Sequence, residues 1–167
     1  HTIMHQEFCK IFSRFVEENN IKENEFGLEI TETAELEDTK KAGESLERLK
    51  KRGIKIALDD FGAGYASLKY IRDLPIDVVK LDRHFTSNIS DPSTSRLIKF
   101  VSDVCAELNL EMIGEGIETE KEKNMMIELG CLTGQGFLMH MPSFIEDIKK
   151  ENNDCLLYTS DAADDAS

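Results

Sequence analysis

Two periodicities take turns along this chain, and their order constrains its fold more than any other feature. Ile11, Phe12, Phe15 and Val16 recur at helical spacing up to Asn19 and Asn20, and residues 26–32 then alternate as a strand. Asp38 or Thr39 is placed to cap a helix carrying Ala42, Leu46 and Leu49, and Gly53 to stop it in a left-handed conformation. The same reading gives a strand over 54–59, a short helix over 68–72 and a strand over 77–82. It continues with a helix over 93–108, a strand over 111–115, a helix over 119–129, a short strand over 132–137 and a last helix from Phe144 to Ile148. Strict alternation of this kind predicts an α/β fold, a parallel sheet with helical crossovers.

The 167 residues are 40% apolar, which suits one domain with a core. No run approaches the ~18 apolar residues of a membrane span, and no signal-peptide pattern opens the chain. Cys9, Cys105, Cys131 and Cys155 are scattered without a CxxC pair. The expectation is a soluble chain with reduced thiols in a cytoplasm, although the parent protein can carry a membrane anchor upstream. His1 in place of Met reads as a truncated start. Residues 155–167 carry no amphipathic period and resemble adapter-derived read-through, so the domain is expected over 1–154 and a non-native tail after it. Without Asp161, Asp164 and Asp165 of that tail, the net charge goes from −13 to −10. An acidic surface of this kind disfavours duplex nucleic acid and membrane contact, and an anionic substrate would need cations.

Within the strands, apolar side chains share one face and polar ones the other. Phe26, Leu28 and Ile30 oppose Gly27, Glu29 and Thr31; Ile54, Ile56 and Leu58 oppose Lys55, Ala57 and Asp59; Val79 and Leu81 oppose Val78, Lys80 and Asp82. Glu29, Asp59, Lys80 and Glu115 thus come from the ends of four successive strands, where a (β/α) barrel assembles its site. Charges there are costly to bury unless paired or metal-bound. Carboxylates without His or Cys partners suit Mg²⁺ or Mn²⁺, and Asp59 with Asp60 can flank two cations. Lys80 is placed to neutralise a phosphate, and Glu115 to take a proton from water.

Several segments, in one order, resemble a known family. Residues 29–32 resemble its ExTE motif, 59–68 its DDFGTGYSSL segment, 77–85 its DxLKIDRSF segment and 114–119 its AEGVET motif. Residues 130–137 with Pro142 resemble its closing GCxxxQGYxxxxP signature. The resemblance spans about residues 5–150 and is to the EAL domains. It implies a modified TIM barrel, here incomplete and lacking its first strand units, that hydrolyses cyclic di-GMP to linear pGpG at a two-metal Mg²⁺ or Mn²⁺ site. By the same resemblance Glu29, Asp59, Asp60, Glu118 and Gln135 serve the metals and the water. Lys80 and Glu115 are catalytic, and Glu32 anchors the loop after Asp59 and Asp60. That loop contributes to a homodimer in the family, and an upstream sensory or GGDEF domain is a common neighbour. The departures are Ala63 for Thr, Gly114 for Ala and Met141 for Lys or Arg. The opening Glu-Ala-Leu motif and a downstream Asn ligand are missing, so the fragment alone is expected to be inactive.

Rival readings are weaker. Gly62, Gly64 and Ser67 after a strand, with Asp82 further on, mimic a dinucleotide fingerprint, but Asp59 and Asp60 would repel the pyrophosphate. His1 and His5 lack a third ligand. The run Glu47–Arg52 reads as a solvated helix face, and Met125 with Met126 as core filling. A non-catalytic cyclic di-GMP receptor is the main functional rival, disfavoured because the carboxylates are retained. A barrel enzyme acting on a carboxylate substrate is more distant still.

Overall fold

Every strand of the sheet lies parallel to its neighbour, and the strands follow one another across it in chain order. In the computed structural model, which describes residues 6–19, 22, 26–31, 39–63 and 67–144, helix α1 (Gln6–Glu18) precedes β1 (Gly27–Thr31). Then come α2 (Thr39–Lys50), β2 (Lys55–Phe61), α3 (Ser67–Asp73), β3 (Val78–Leu81), α4 (Arg83–Ser87), α5 (Pro92–Glu107), β4 (Glu111–Gly114), α6 (Glu120–Glu128) and β5 (Thr133–Gly134). The order β1-β2-β3-β4-β5 never reverses. A dinucleotide-binding sheet reverses at its switch point, whereas a barrel winds in one direction, so the topology is that of an incomplete α/β barrel.

Local chemistry sets the boundaries. Helix α2 ends as anticipated: Gly53 takes φ 77°, its N–H donates to the Lys50 carbonyl (2.9 Å), and the Ile54 N–H donates to that of Leu49 (3.3 Å). These are the paired bonds of a Schellman stop. Asp91 accepts from the N–H groups of Ser93 and Thr94 to start α5 at Pro92. Thr119 and Glu122 form a reciprocal capping box at α6. Helix α4 was not anticipated from the sequence. It is one turn long, nucleated by the Asp82 carboxylate, which accepts the His84 N–H at 2.8 Å. The expected cap Asp38, the helix beyond Phe144 and the 155–167 tail lie outside the described residues.

The faces divide as the alternation requires. Ile56, Leu58, Val79, Leu81 and Met112 join Leu46, Leu49, Ile71, Ile98 and Val101 of the helices in one buried cluster. Ala57, Val78 and Ile113 lie on the opposite face and stay out of it. At the strand starts, Asp77 accepts the Ile56 N–H at 2.8 Å and pairs with Lys50 at 2.7 Å, pinning the β2–β3 register from the end away from the charged residues. Because Gly53 sits where an L side chain strains the backbone, Gly53→Ala should lower unfolding free energy by about 1–2 kcal/mol. Urea denaturation reads this directly; an unchanged midpoint would mean the stop does not depend on glycine.

Candidate metal centre

In an unbroken strand, Asp59 and Asp60 would point to opposite faces, and Asp60 would join Ile56 and Leu58 against the helices. The structure departs from that expectation. Leu58 pairs with Val79 and Phe61 with Leu81, so two residues of β2 oppose Lys80 alone. This is a β-bulge, and Asp60 is the residue that absorbs it, at φ 55°. Aspartate is among the few side chains that tolerate this region. The extra residue turns both carboxylates toward one place and returns Phe61 to the core. Asp59, Asp60 and Glu115 each present an oxygen there, all within 4.8 Å of one another.

Lys80 lies at the centre. Its ammonium sits 2.7 Å from Asp59 Oδ1, 2.9 Å from Glu115 Oε1 and 2.9 Å from Glu29 Oε1. The residue is only 7% exposed. Burial by itself works against the charge, but the bonds to Asp59, Glu115 and Glu29 outweigh it and hold the ammonium above the ordinary lysine range. Three strands and the end of a fourth therefore meet on one nitrogen. Gln135, just past β5, donates to Glu115 Oε1 at 2.7 Å and holds that carboxylate from the other side.

The structure brings together most of the residues anticipated from the sequence, in distinct positions. Asp59, Asp60 and Glu115 form the oxygen cluster, and Glu29 joins it through Lys80, with a more exposed side chain (54%). Glu118 is exposed and stands outside that three-residue group; it lines the same cleft as Asp60, Glu115 and Gln135. Glu122 accepts the N–H groups of Glu118 and Thr119, both at 2.9 Å, fixing the loop that presents Glu118. Glu32 lies outside the described residues. The cleft has a volume of about 490 Å³, and its other wall holds Arg83, Phe137 and His140. These three carried no assignment from the sequence. Arg83 lies two residues past the end of β3, close enough to be sought among the strand-end charges, whereas Phe137 and His140 lie on an irregular segment with no period to mark them.

Among the described residues the cluster offers oxygen donors and no nitrogen or sulfur ligand, which fits Mg²⁺ or Mn²⁺. Carboxylate oxygens gathered this closely are within reach of a single small divalent cation. Three carboxylates on one ammonium, with Asp60 beside two of them, leave surplus negative charge for a cation to offset. The raised Lys80 value fixes the sign of its pH dependence. Its contribution to stability is fully present below the unfolded lysine value of about 10.4 and is lost as pH rises through the higher folded value. Lys80→Met should therefore melt at a lower temperature than the parent at pH 7. The difference should stay flat to about pH 10 and shrink above it. Melting curves from pH 7 to 11 test this, and a gap that widens with alkali would contradict it.

Residues 1–142 match the family described as the EAL domain. Over 123 residues the chain is 36% identical to the cyclic di-GMP phosphodiesterase PA2567 of Pseudomonas aeruginosa, covering 73% of this chain and 21% of that protein. The chain thus spans about a fifth of that relative's length. It superposes on the MucR phosphodiesterase of Pseudomonas aeruginosa, solved in complex with c-di-GMP, with a TM-score of 0.80 and 30% identity, covering 88% of this chain and 60% of that one. It also superposes on Klebsiella pneumoniae BlrP1, solved with manganese and the cyclic dinucleotide, with a TM-score of 0.73 and 26% identity, covering 80% of this chain and 34% of that one.

Proposed function

Because the chain belongs to the EAL domain family, we propose that it forms the larger part of a phosphodiesterase site that hydrolyses cyclic di-GMP to linear pGpG with Mg²⁺ or Mn²⁺. The observation that carries the proposal is the bulge at Asp59 and Asp60, which gathers three carboxylate oxygens beside a buried lysine. Residues 1–154 constitute the domain, and 155–167 do not belong to it.

The divalent cations supply Lewis acidity toward the phosphate and a more acidic water. Asp59 and Asp60 hold them, with Glu29, Glu118 and Gln135 completing the set. Lys80 keeps its proton at neutral pH, holds Asp59 and Glu29 in place, and lowers the repulsion a phosphate meets in an acidic cleft. Lys80 and Gln135 both bond Glu115 at Oε1, which leaves Oε2 to accept a proton from the attacking water. Glu115 presents an oxygen within 4.8 Å of those of Asp59 and Asp60, which sets the base beside the cations they would hold.

The receptor reading would leave binding intact without turnover, and the retained carboxylates weigh against it. Homodimerisation through the loop after Asp60, and an upstream sensory or GGDEF domain, are further parts of the proposal. Among the described residues no helix is long and apolar enough to cross a membrane, and we assign the domain to the cytoplasm.

The test is turnover in a chimera that joins this chain to the family's upstream segment. Turnover should require Mg²⁺ or Mn²⁺, stop in excess chelator, and fall with Ca²⁺, whose longer bonds misalign the water. Glu115→Gln should lower kcat about 10²- to 10⁴-fold while leaving Mn²⁺ affinity nearly unchanged. Asp59→Asn should weaken Mn²⁺ binding. Full turnover in chelator, or a Glu115→Gln variant as fast as the parent, would refute the scheme.

A further inference from the structure

Two glycines beside the oxygen cluster have left-handed backbones, and the same short helix presses on both. Gly62, two residues past Asp60, has φ 97°, and Gly116, next to Glu115, has φ 66°. A Cβ on Gly62 would fall 2.1 Å from Phe85 Cε2 and 2.6 Å from Cζ. A Cβ on Gly116 would fall 2.6 Å from the Cβ of Arg83. Arg83 and Phe85 are the first and third residues of α4. Their side chains thus occupy the space that glycine leaves open beside each carboxylate-bearing loop.

Helix α4 is itself tied to the bulged strand. The Asp82 N–H donates to the Phe61 carbonyl at 3.3 Å, and the Phe85 N–H donates to that of Asp82 at 3.0 Å. Phe85 is half-buried and packs against the core cluster, so its ring is backed as well as placed. The Ala63 N–H donates to the Asp60 carbonyl at 3.0 Å and closes the turn that follows the bulge, with Gly62 inside it. Asp60 needs such support. Its left-handed backbone is disfavoured for an L residue, and the relaxed alternative is an extended strand with the carboxylate aimed at the helices.

We propose that Phe85 is a positioning residue for the metal cluster: by packing on Gly62 it holds the turn that keeps Asp60 in its bulged conformation, while Arg83 braces Glu115 through Gly116. The proposal rests on the metal-dependent reading above. Phe85 acts only through the backbone of residues 60–63.

The experiment measures two quantities on the chain: Mn²⁺ affinity by calorimetry, and hydrogen exchange at the Ala63 amide. The variants are Phe85→Ala, Phe85→Leu and Val16→Ala, the last a core truncation in α1, remote from the cluster. Phe85→Ala should weaken Mn²⁺ binding about tenfold, in the range typical for groups that orient metal ligands, and should speed Ala63 exchange. Phe85→Leu should give an intermediate loss of both, which also decides the matter if Phe85→Ala does not fold. Val16→Ala, at comparable loss of melting temperature, should leave both within about twofold. Unchanged Ala63 exchange in the Phe85 variants, or an equal loss in Val16→Ala, overturns the proposal. If the parent binds no Mn²⁺, the metal-dependent reading fails, and Ala63 exchange still decides whether Phe85 holds the bulge.

Discussion

The charged end of the sheet depends on one buried ammonium. Lys80, in the central strand β3, bonds carboxylates from β1, β2 and the end of β4 at 2.7–2.9 Å. Neither partner is stable there alone. A buried lysine without counter-charges would give up its proton, and carboxylates this close would repel one another without the lysine. Each makes the other affordable. The chain therefore carries a site that is already gathered before any cation arrives, which is what preorganisation requires of a centre that handles phosphates.

This interaction also explains the shape around it. A strand end presents one side chain to the site, so a single regular strand cannot supply two adjacent ligands. The bulge in β2 solves this by placing Asp59 and Asp60 together opposite Lys80, at the expense of a left-handed aspartate. The following turn and α4 then have a purpose beyond connection, because they hold the distorted backbone from outside the cluster. The one-directional order of the strands brings successive strand ends to the same region, which a reversing sheet would split at its switch point.

Much of this was legible in the sequence, for reasons that differ by residue. Glu29, Asp59, Lys80 and Glu115 stood out because a charge at the end of an apolar strand has few explanations. The stop at Gly53 followed from capping chemistry. Asp60 was recognised as Asp59's partner, but the bulge that brings it there was not, since a bulge leaves no mark on a period of two. Helix α4 is too short to show a helical period. The contacts of Phe85 with Gly62 and of Arg83 with Gly116 join residues about 20 to 30 apart, which no local pattern encodes. Glu118 and Gln135 were suggested by family resemblance alone, and the structure places them at the cleft with Gln135 bonded to Glu115.

The central claim is that the bulge aims Asp60 into a cation site shared with Asp59, beside Glu115. The most direct measurement is diffraction from Mn²⁺-soaked crystals at the manganese absorption edge. The account predicts an anomalous peak within about 2.2 Å of oxygens from Asp59 and Asp60, with Asp60 at positive φ. A peak elsewhere, or an extended Asp60 facing the helices, would contradict it.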